Sequence, residues 1–472
     1  MAHKKHRTGL VAAVGMVGLL MPTACDSSSS GGPAPAGPPT SSPPLATDTP
    51  SVITSPTPAR MPSGPACIRP ENGTGCLPVA PSADRVDLTR PSFRSPTSIT
   101  NPLHPSGTLT QVIYGGQVDG EPFRTEFTRL AGLKRIDWQG MRIDAVVWQY
   151  LAFSGGRIHE VALDWFAQAD DGSVWYLGEN VYNYADGQVE NTDGTWVTGS
   201  RVAPPAMIMP AAPRAAMVYR PENAPGVVFE EVRVLAADRT VTGPSGPVRG
   251  AIVVRELHYD GSTEDKTFAP GYGEFSTGQP GADLEAVSLA VPTDARPGAV
   301  PAGLQRLAHA VRSGYAALAG GGPAARTAHR ELCAAWRAQR PGRSLLDTQM
   351  SRDVAALGRA IAAADSGATR DAALRVAQNE LDLRMRYQSL PTIERNRFGL
   401  WLRQVAVDAK ADDHAAVAGD VASLSWTWHR VRPTVDPAVA GRVEARLAAA
   451  QAAAARQQPA AAAAIAATIR LN

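Results

Sequence analysis

The chain has 472 residues, a formal net charge of +2 at neutral pH and four cysteines. Its length allows more than one domain. Its basic residues are spread along helical segments rather than clustered with aromatic residues, which argues against nucleic acid as a partner. A glycine-rich phosphate loop, a G-x-S-x-G elbow, an H-E-x-x-H motif and zinc-ribbon spacing are all absent from the sequence. We therefore predict no cofactor, no metal site and no catalytic set of residues.

The first 24 residues have the pattern of a secretory signal peptide. Residues 3–7 are basic, residues 10–21 form an apolar run, and small residues follow. The run has about a dozen residues, whereas a membrane-spanning helix needs about 20. The pattern predicts export of the chain across a membrane.

Cys25 directly follows Thr23 and Ala24, and this arrangement resembles the bacterial lipoprotein signal. In that signal the cysteine is lipidated, for example with palmitate, and becomes the first residue of the mature protein. Cys25 is therefore the candidate lipid anchor to the extracytoplasmic face of the cell membrane. The third residue before it is Pro22, where that signal usually has Leu, Val or Ile. An ordinary secreted protein, in which Cys25 has no special role, is the alternative.

The segment that follows is predicted to lack a packed core. Residues 25–65 are mostly Ser, Pro, Gly, Thr and Ala, which favours a disordered tether. Residues 66–98 predict an irregular segment. Within it, Cys67 and Cys76 flank a turn-rich loop, and an oxidising compartment favours a disulfide between them. Cys333 lies in a helical pattern and is expected to be a buried, small apolar residue.

Residues 99–292 are predicted to form an antiparallel β domain. Runs with strand-like alternation or with many Val, Trp and Tyr residues are residues 142–153, 158–167, 173–184, 227–235 and 251–259. Asp-Gly and Gly-Gly pairs follow several of these runs and are typical of tight turns. An antiparallel sheet of this size must cover its apolar face or curl on itself, so we expect a meander or half-barrel.

Several motifs in residues 95–275 resemble an uncharacterised family of exported bacterial lipoproteins of actinobacterial type, which have an antiparallel β domain. The motifs are ITNPL (residues 99–103), DWFAQ (164–168), DG (171–172), VWYLGE (174–179), GTW (194–196), IMPA (208–211) and APGYG (269–273). The resemblance implies an exported β domain and no particular reaction.

A curled sheet with Trp, Tyr and Val strands can enclose an apolar cavity for a lipid or another hydrophobic ligand. The candidate ligand-binding residues are Trp165, Trp175, Tyr176, Met207 and Met209. Both methionines lie in residues 201–217, whose four prolines argue against a central strand, so this segment is expected to cross one end of the sheet. Methionines that only fill the core are the alternative.

Asp164 and Glu179 form a candidate catalytic pair. If Asp171 and Gly172 make a two-residue turn, the two carboxylates face each other on neighbouring strands with Cβ atoms about 5 Å apart. Such a pair suits a glycosidase. The alternative is a solvated or counter-charged strand face, which we favour because no substrate-binding signature accompanies the pair.

Residues 300–432 predict an up-and-down helical bundle, because apolar residues recur at helical spacing and the joints are short. Gly367 is expected to end one helix, Thr369 to cap the next, and the pair Asp412 and Asp413 to cap a later one. Residues 433–472 are rich in Ala and are expected to form a loosely held helix or tail, not apolar enough to cross a membrane.

Four histidines of the helical half are possible ligands of a metal or haem: His309, His329, His414 and His429. No two of them are three or four residues apart, so surface or capping histidines are the favoured interpretation. From residue 300 onward the chain has 23 Lys and Arg against 14 Asp and Glu, whereas the preceding part of the mature chain is acidic. The two halves therefore either dock on each other or meet different partners, including anionic lipid head groups.

The leading interpretation is a lipid-anchored extracytoplasmic protein that acts as a binding or envelope-structural module. Its partners would be the membrane, through the anchor, and a lipid or protein ligand. Two alternatives remain: an exported glycan hydrolase that uses strand carboxylates, and a metal- or haem-binding helical bundle.

Overall fold

The structure is a computed structural model that describes residues 60–61, 63–65, 67–200, 203–278 and 282–472. The predicted signal peptide, the candidate anchor Cys25 and most of the predicted tether lie outside these described residues. Within them, an antiparallel β domain is followed by a C-terminal region of eight α-helices, so the predicted fold class is confirmed.

The β domain is one sheet of 14 strands. The strands are β1 (Gln111–Val118), β2 (Glu121–Trp138), β3 (Met141–Ser154), β4 (Arg157–Gln168), β5 (Val174–Ala185), β6 (Gln188–Asn191), β7 (Trp196–Val197), β8 (Ala206–Met209), β9 (Val218–Ala224), β10 (Val228–Gly243), β11 (Gly246–His258), β12 (Thr263–Ala269), β13 (Gly273–Gly278) and β14 (Leu284–Val291). Their order is β6-β5-β4-β3-β2-β1-β14-β13-β12-β11-β10-β9, and β7 and β8 also pair with β5. Because the long strands of a sheet twist, a sheet of this width curls.

β8 brings the two ends of the curled sheet together. It pairs with β5 and packs beside β9, the strand at the opposite end of the order. This strand lies within the proline-rich residues 201–217, where the sequence argued against a central strand. It forms because Pro205 and Pro210 flank its four residues and so stay outside the ladder. Met207 and Met209 are buried in the apolar core.

The helices are α1 (Ala302–Gly320), α2 (Gly322–Gln339), α3 (Leu345–Ala363), α4 (Ser366–Arg384), α5 (Leu390–Lys410), α6 (His414–Val431), α7 (Pro437–Ala455) and α8 (Pro459–Ala466). Asp413 caps α6 as predicted, because its carboxylate accepts a hydrogen bond from the Ala416 amide. Asp365 caps α4, and the predicted signals Gly367 and Thr369 lie inside that helix. The prediction of Thr369 as the cap was wrong because Asp365, four residues earlier, provides it.

The Ala-rich C-terminal residues are packed, which corrects the expectation of a loosely held tail. Val443 and Leu447 of α7 are buried in the main helical core. Ala453 of α7 and Ala462 of α8 lie in a second core made largely of alanines. Small side chains allow these helices to approach closely, which an apolar periodicity does not reveal. Among the described residues, each helix is too short or too polar to cross a membrane.

The bundle packs on the outer face of the sheet. Leu151, Phe153 and Val161, on β3 and β4, are part of the main helical core. The ring of Phe153 stacks on Trp401 of α5 with ring centroids 5.5 Å apart. The two halves therefore share a core and dock on each other.

Buried charges also join the two halves. On β2, Arg124 pairs with Asp382 of α4 at 2.7 Å, and Glu126 pairs with Arg430 of α6 at 2.6 Å. Burial would raise the pKa of Glu126, but Arg397, Arg430 and Arg124 together hold that pKa far below its ordinary value. The Glu126 carboxylate is therefore ionised and bound to helical arginines.

Cys67 and Cys76 form the predicted disulfide. Ile68 and Leu77 beside it are buried against Phe229 of β10, so the irregular segment is attached to the sheet. Cys333 is only half-buried, which corrects the expectation of a buried residue. Its Sγ lies 3.5 Å from Nε2 of His329, one helical turn earlier.

Candidate functional site

Alternation along the strands separates the interior of the sheet from its outer face. On β2, Arg124 and Glu126 face the helices, so Thr125 faces inward. The Thr125 hydroxyl donates a hydrogen bond of 2.7 Å to Glu285 of β14. On β3, Leu151 faces the helices, so Tyr150 faces inward. In each strand pair, residues that are partners in the register lie on the same face. The register therefore shows, strand by strand, which other side chains face the interior.

Carboxylates line this interior on eight strands. They are Glu160 and Asp164 of β4, Glu179 of β5, Glu222 of β9, Glu230 of β10, Glu256 of β11, Glu264 of β12, Glu274 of β13 and Glu285 of β14. All except Glu264 are at most 4% exposed. We call these nine residues the acidic interior. Such a concentration of buried carboxylates is unusual, because a buried charge is costly unless a partner balances it, and each of these nine carboxylates has a partner.

Asp164 and Glu179 face each other across β4 and β5, as predicted. The turn between the strands is longer than predicted, because the Ala169 amide bonds to the Ser173 carbonyl around three turn residues. A β-bulge just after Asp164 shifts the ladder by one residue and restores the predicted pairing. The two carboxylates are 1% and 0% exposed, so the strand face is not solvated, and only the counter-charged form of that alternative remains.

Tyr176 links this pair to the other end of the sheet. Its hydroxyl donates a hydrogen bond of 2.8 Å to Asp164. Burial raises the pKa of Tyr176 well above its ordinary value, and the nearby charges of Asp164, Glu179 and Glu222 raise it further. Glu222 belongs to β9, so its proximity to Tyr176 of β5 reflects the closure of the sheet.

Aromatic rings surround the same group. Phe166 stacks on Tyr176 with ring centroids 4.9 Å apart. Trp196 presents its edge to Tyr176 at 5.4 Å. Trp196 also borders an open pocket of about 780 Å³ at this end of the sheet, together with Asn223 of β9. Asn223, on the wall of this pocket, is next in sequence to Glu222 of the acidic interior.

The opposite wall holds a second group of carboxylates. Lys266 of β12 lies 2.9 Å from Glu256 and 3.4 Å from Glu274. His258 Nδ1 lies 3.5 Å from Glu230. Glu230, Glu256 and His258 offer three ligand atoms within 4.8 Å of one another, a set that suits a divalent metal ion. A metal would have to share Glu256 with the Lys266 ammonium, which opposes its binding.

Two tyrosines connect the walls. Burial raises the pKa of Tyr150 well above its ordinary value, and Glu285 and Glu160, from opposite walls, raise it further. Tyr114 donates a hydrogen bond of 3.2 Å to the carbonyl of Glu274. The acidic interior is therefore one continuous lining rather than separate ion pairs.

Two buried polar groups on this lining have no hydrogen-bond partner in the described part of the chain. One is the Tyr219 hydroxyl, on a side chain that is 1% exposed, and the other is the Trp196 indole N–H. Tyr219 pairs with Val232 on the inward face of β9 and β10. Burial raises its pKa, and the charge of Lys266 opposes that rise. Buried donors normally have acceptors, so both groups favour a ligand.

The structure separates the five candidate ligand-binding residues. Tyr176 faces the interior, whereas Trp165 lies on the outer face beneath the ammonium of Lys134, 4.5 Å from the ring centroid. Trp175, the neighbour of Tyr176, also faces outward and pairs with Met207. Met209 is fully buried in the core. The outward-facing residues fill the core between strands and loops.

The helical histidines do not converge. His309 lies on α1 and His329 on α2, while His414 is the first residue of α6 and His429 lies in its last turn. Among the described residues, the three-ligand metal cluster found lies in the β domain. No family model matches the chain, and no curated protein matches it closely enough to count.

The sequence reasoning missed most of the acidic interior. A readable signal was present at Glu256 and His258, which are two residues apart in a predicted strand and so share a face. The carboxylates of β9, β13 and β14 lie in strands that the sequence did not predict.

Proposed function

We propose that the protein is an exported, lipid-anchored binding protein whose acidic interior holds an organic ligand with several positive charges. The observation that carries this proposal is the ring of nine inward-facing carboxylates. Export and anchoring are supported by the signal pattern before Cys25 and by the resemblance to exported lipoproteins of the β-domain family.

An organic cation fits the lining better than a metal ion. The carboxylates are spread over eight strands, which suits several ammonium or guanidinium groups on one molecule. Aromatic rings beside the carboxylates, such as Tyr176 and Trp196, add faces that attract cations. A metal ion needs its ligand atoms around a single position. At the Glu256 carboxylate, the Lys266 ammonium already occupies that position.

The test is titration calorimetry of the full chain with spermine, supported by native mass spectrometry of the same sample. We expect binding that weakens steeply with salt. Glu179→Gln removes one inward charge and should weaken binding about tenfold, or about 1.4 kcal/mol. Glu190→Gln, at an exposed site on β6, is the matched control and should leave binding unchanged.

Absence of spermine binding, or equal binding by both variants, would overturn the proposal. Recovery of a lipid after solvent extraction would favour the hydrophobic-ligand alternative. Tight retention of a divalent metal that is lost in Glu230→Gln would instead favour a metal centre.

A second candidate function is glycan hydrolysis by Asp164 and Glu179. Their confirmed pairing across two strands, close to an open pocket bordered by Trp196, favours it. The test is release of reducing ends from peptidoglycan and other envelope polysaccharides. Asp164→Asn should abolish turnover if the pair is catalytic, and an inactive wild-type chain would rule this function out.

A further inference from the structure

A separate pocket lies at the junction of the β domain and the bundle, and it is basic. Its volume is about 380 Å³. Four arginines line it: Arg296, Arg340, Arg343 and Arg386. They come from the segment between β14 and α1, from the loop between α2 and α3, and from the residues just after α4. Segments distant in sequence thus bring four positive charges to one cavity.

Hydrogen bonds tie two of these arginines to neighbouring segments. Arg386 donates a hydrogen bond of 3.2 Å to the carbonyl of Pro244, in the hairpin between β10 and β11. The backbone amide of Arg296 donates to the carbonyl of Arg386 at 2.7 Å. Throughout the described ranges, none of the four arginines forms an ion pair with a carboxylate. Their guanidinium groups remain available to an anion.

The acidic residue on the pocket wall is already engaged. The Asp347 carboxylate accepts hydrogen bonds from the Ser344 hydroxyl at 2.6 Å and the Ser344 amide at 3.3 Å. This capping box fixes the first turn of α3, whose N-terminal end also faces the pocket. The positive end of the helix dipole adds to the attraction for an anion.

We propose that this pocket binds a phosphate ester group. Guanidinium forks match the oxygens of a phosphate, and four of them around one cavity favour a dianion over a carboxylate. The volume exceeds that of phosphate alone and leaves room for an attached glycerol or sugar. The group belongs either to a small soluble ester or to the head group of an anionic lipid.

The experiment measures binding of glycerol 3-phosphate to the full chain by phosphorus NMR and calorimetry. The double variant Arg340→Gln/Arg343→Gln should bind at least tenfold more weakly. Its control, Arg442→Gln/Arg446→Gln, removes the same charge from exposed positions of α7 and should bind as the wild type does. Melting by circular dichroism checks that both variants fold.

A second arm distinguishes the two sources of the phosphate. The chain is mixed with vesicles of phosphatidylglycerol and, separately, of phosphatidylcholine. Sedimentation with the anionic vesicles that only the Arg340/Arg343 variant loses would assign the lipid head group. Binding of glycerol 3-phosphate without vesicle sedimentation would assign the soluble ester. Loss of binding in both double variants alike, or no binding to either probe, would overturn the proposal.

Discussion

Single buried side chains decide how firmly the two halves are joined. Arg397 of α5 lies 2.7 Å from Asp382, 2.5 Å from Glu394 and 3.2 Å from Glu126, and it is 2% exposed. It thereby shares three carboxylates with Arg124 and Arg430. Removal of one member of such a network leaves buried charge without compensation, whereas replacement of the whole network need not be harmful.

We predict that Arg397→Met lowers the free energy of unfolding by about 3–5 kcal/mol, because it leaves buried carboxylates underpaired. Urea denaturation measures the loss. The matched control is Arg432→Met, which breaks an exposed pair with Glu444 and should cost less than about 1 kcal/mol. Similar losses in the two variants would contradict the prediction.

Asp420 carries a prediction about pH. Burial raises the pKa of Asp420 well above its ordinary value, although the charge of Arg157 opposes the rise. The nearby charge of Asp408 raises the pKa of Asp420 further. The folded protein thus holds this proton more tightly than the unfolded chain, so the contribution to stability is present at low pH. It is lost as pH rises through the folded-state pKa.

Asp420→Asn keeps a donor at this position and removes the titration. We expect the variant to gain stability relative to the wild type as pH rises from 5 to 9, with urea denaturation as the measurement. Asp436→Asn, at an exposed helix cap, is the control and should follow the wild type. Parallel pH profiles for Asp420→Asn and the wild type would refute the assignment.

At the scale of elements, the turn between β5 and β6 determines how closely the sheet meets α6. Gly187 has a φ of +73°, and a Cβ there would lie 2.1 Å from the Ala415 carbonyl oxygen and 2.4 Å from the Gly419 amide nitrogen. The sequence signal for this turn was correct. That the turn contacts a helix more than 200 residues later in the chain was not visible.

We predict that Gly187→Ala destabilises the fold by about 3 kcal/mol, because it adds overpacking to an unfavourable backbone conformation. Gly120→Ala provides the comparison. Gly120 has a φ of +78° but no atom within 4 Å of the added Cβ, so only the conformational cost of about 1–2 kcal/mol remains. Equal thermal shifts for the two variants would show that the contact with α6 is not tight.

The sequence predicted elements whose signals are local. Alternation and turn residues identified β3, β4 and β5, and these even placed Asp164 opposite Glu179. The sequence did not predict β8, because the prolines of residues 201–217 argued against a strand there. It also misjudged the C-terminal helices, since packing between alanines leaves little apolar periodicity. The acidic interior was mostly hidden, because closure of the sheet, not proximity in sequence, brings Glu222 to Tyr176.

At the scale of the whole molecule, the shared core makes the two halves one folding unit. The outer face of β3 and β4 contributes Leu151, Phe153 and Val161 to the helical core, so separation of the halves would expose apolar surface to water. The β domain and the helical bundle, which carry opposite net charges, therefore pack directly against each other.

We therefore expect a single cooperative unfolding transition in calorimetry of the full chain. Trp401→Ala, which removes the ring stacked on Phe153, should lower stability by about 3–5 kcal/mol and speed hydrogen exchange in both halves. Two separate transitions, or faster exchange confined to the helices, would show that the halves fold independently.

The strand order also determines when the middle of the sheet can form during folding. β1, which begins at Gln111, pairs with β14, which ends at Val291, so the middle of the sheet cannot assemble until nearly the whole β domain is present. Pairings between such distant segments form slowly. A chain secreted from its N-terminus would spend that interval with open strand edges. For the exported chain that we propose, holding chaperones outside the cytoplasm should consequently affect the yield more than they affect proteins built from neighbouring hairpins.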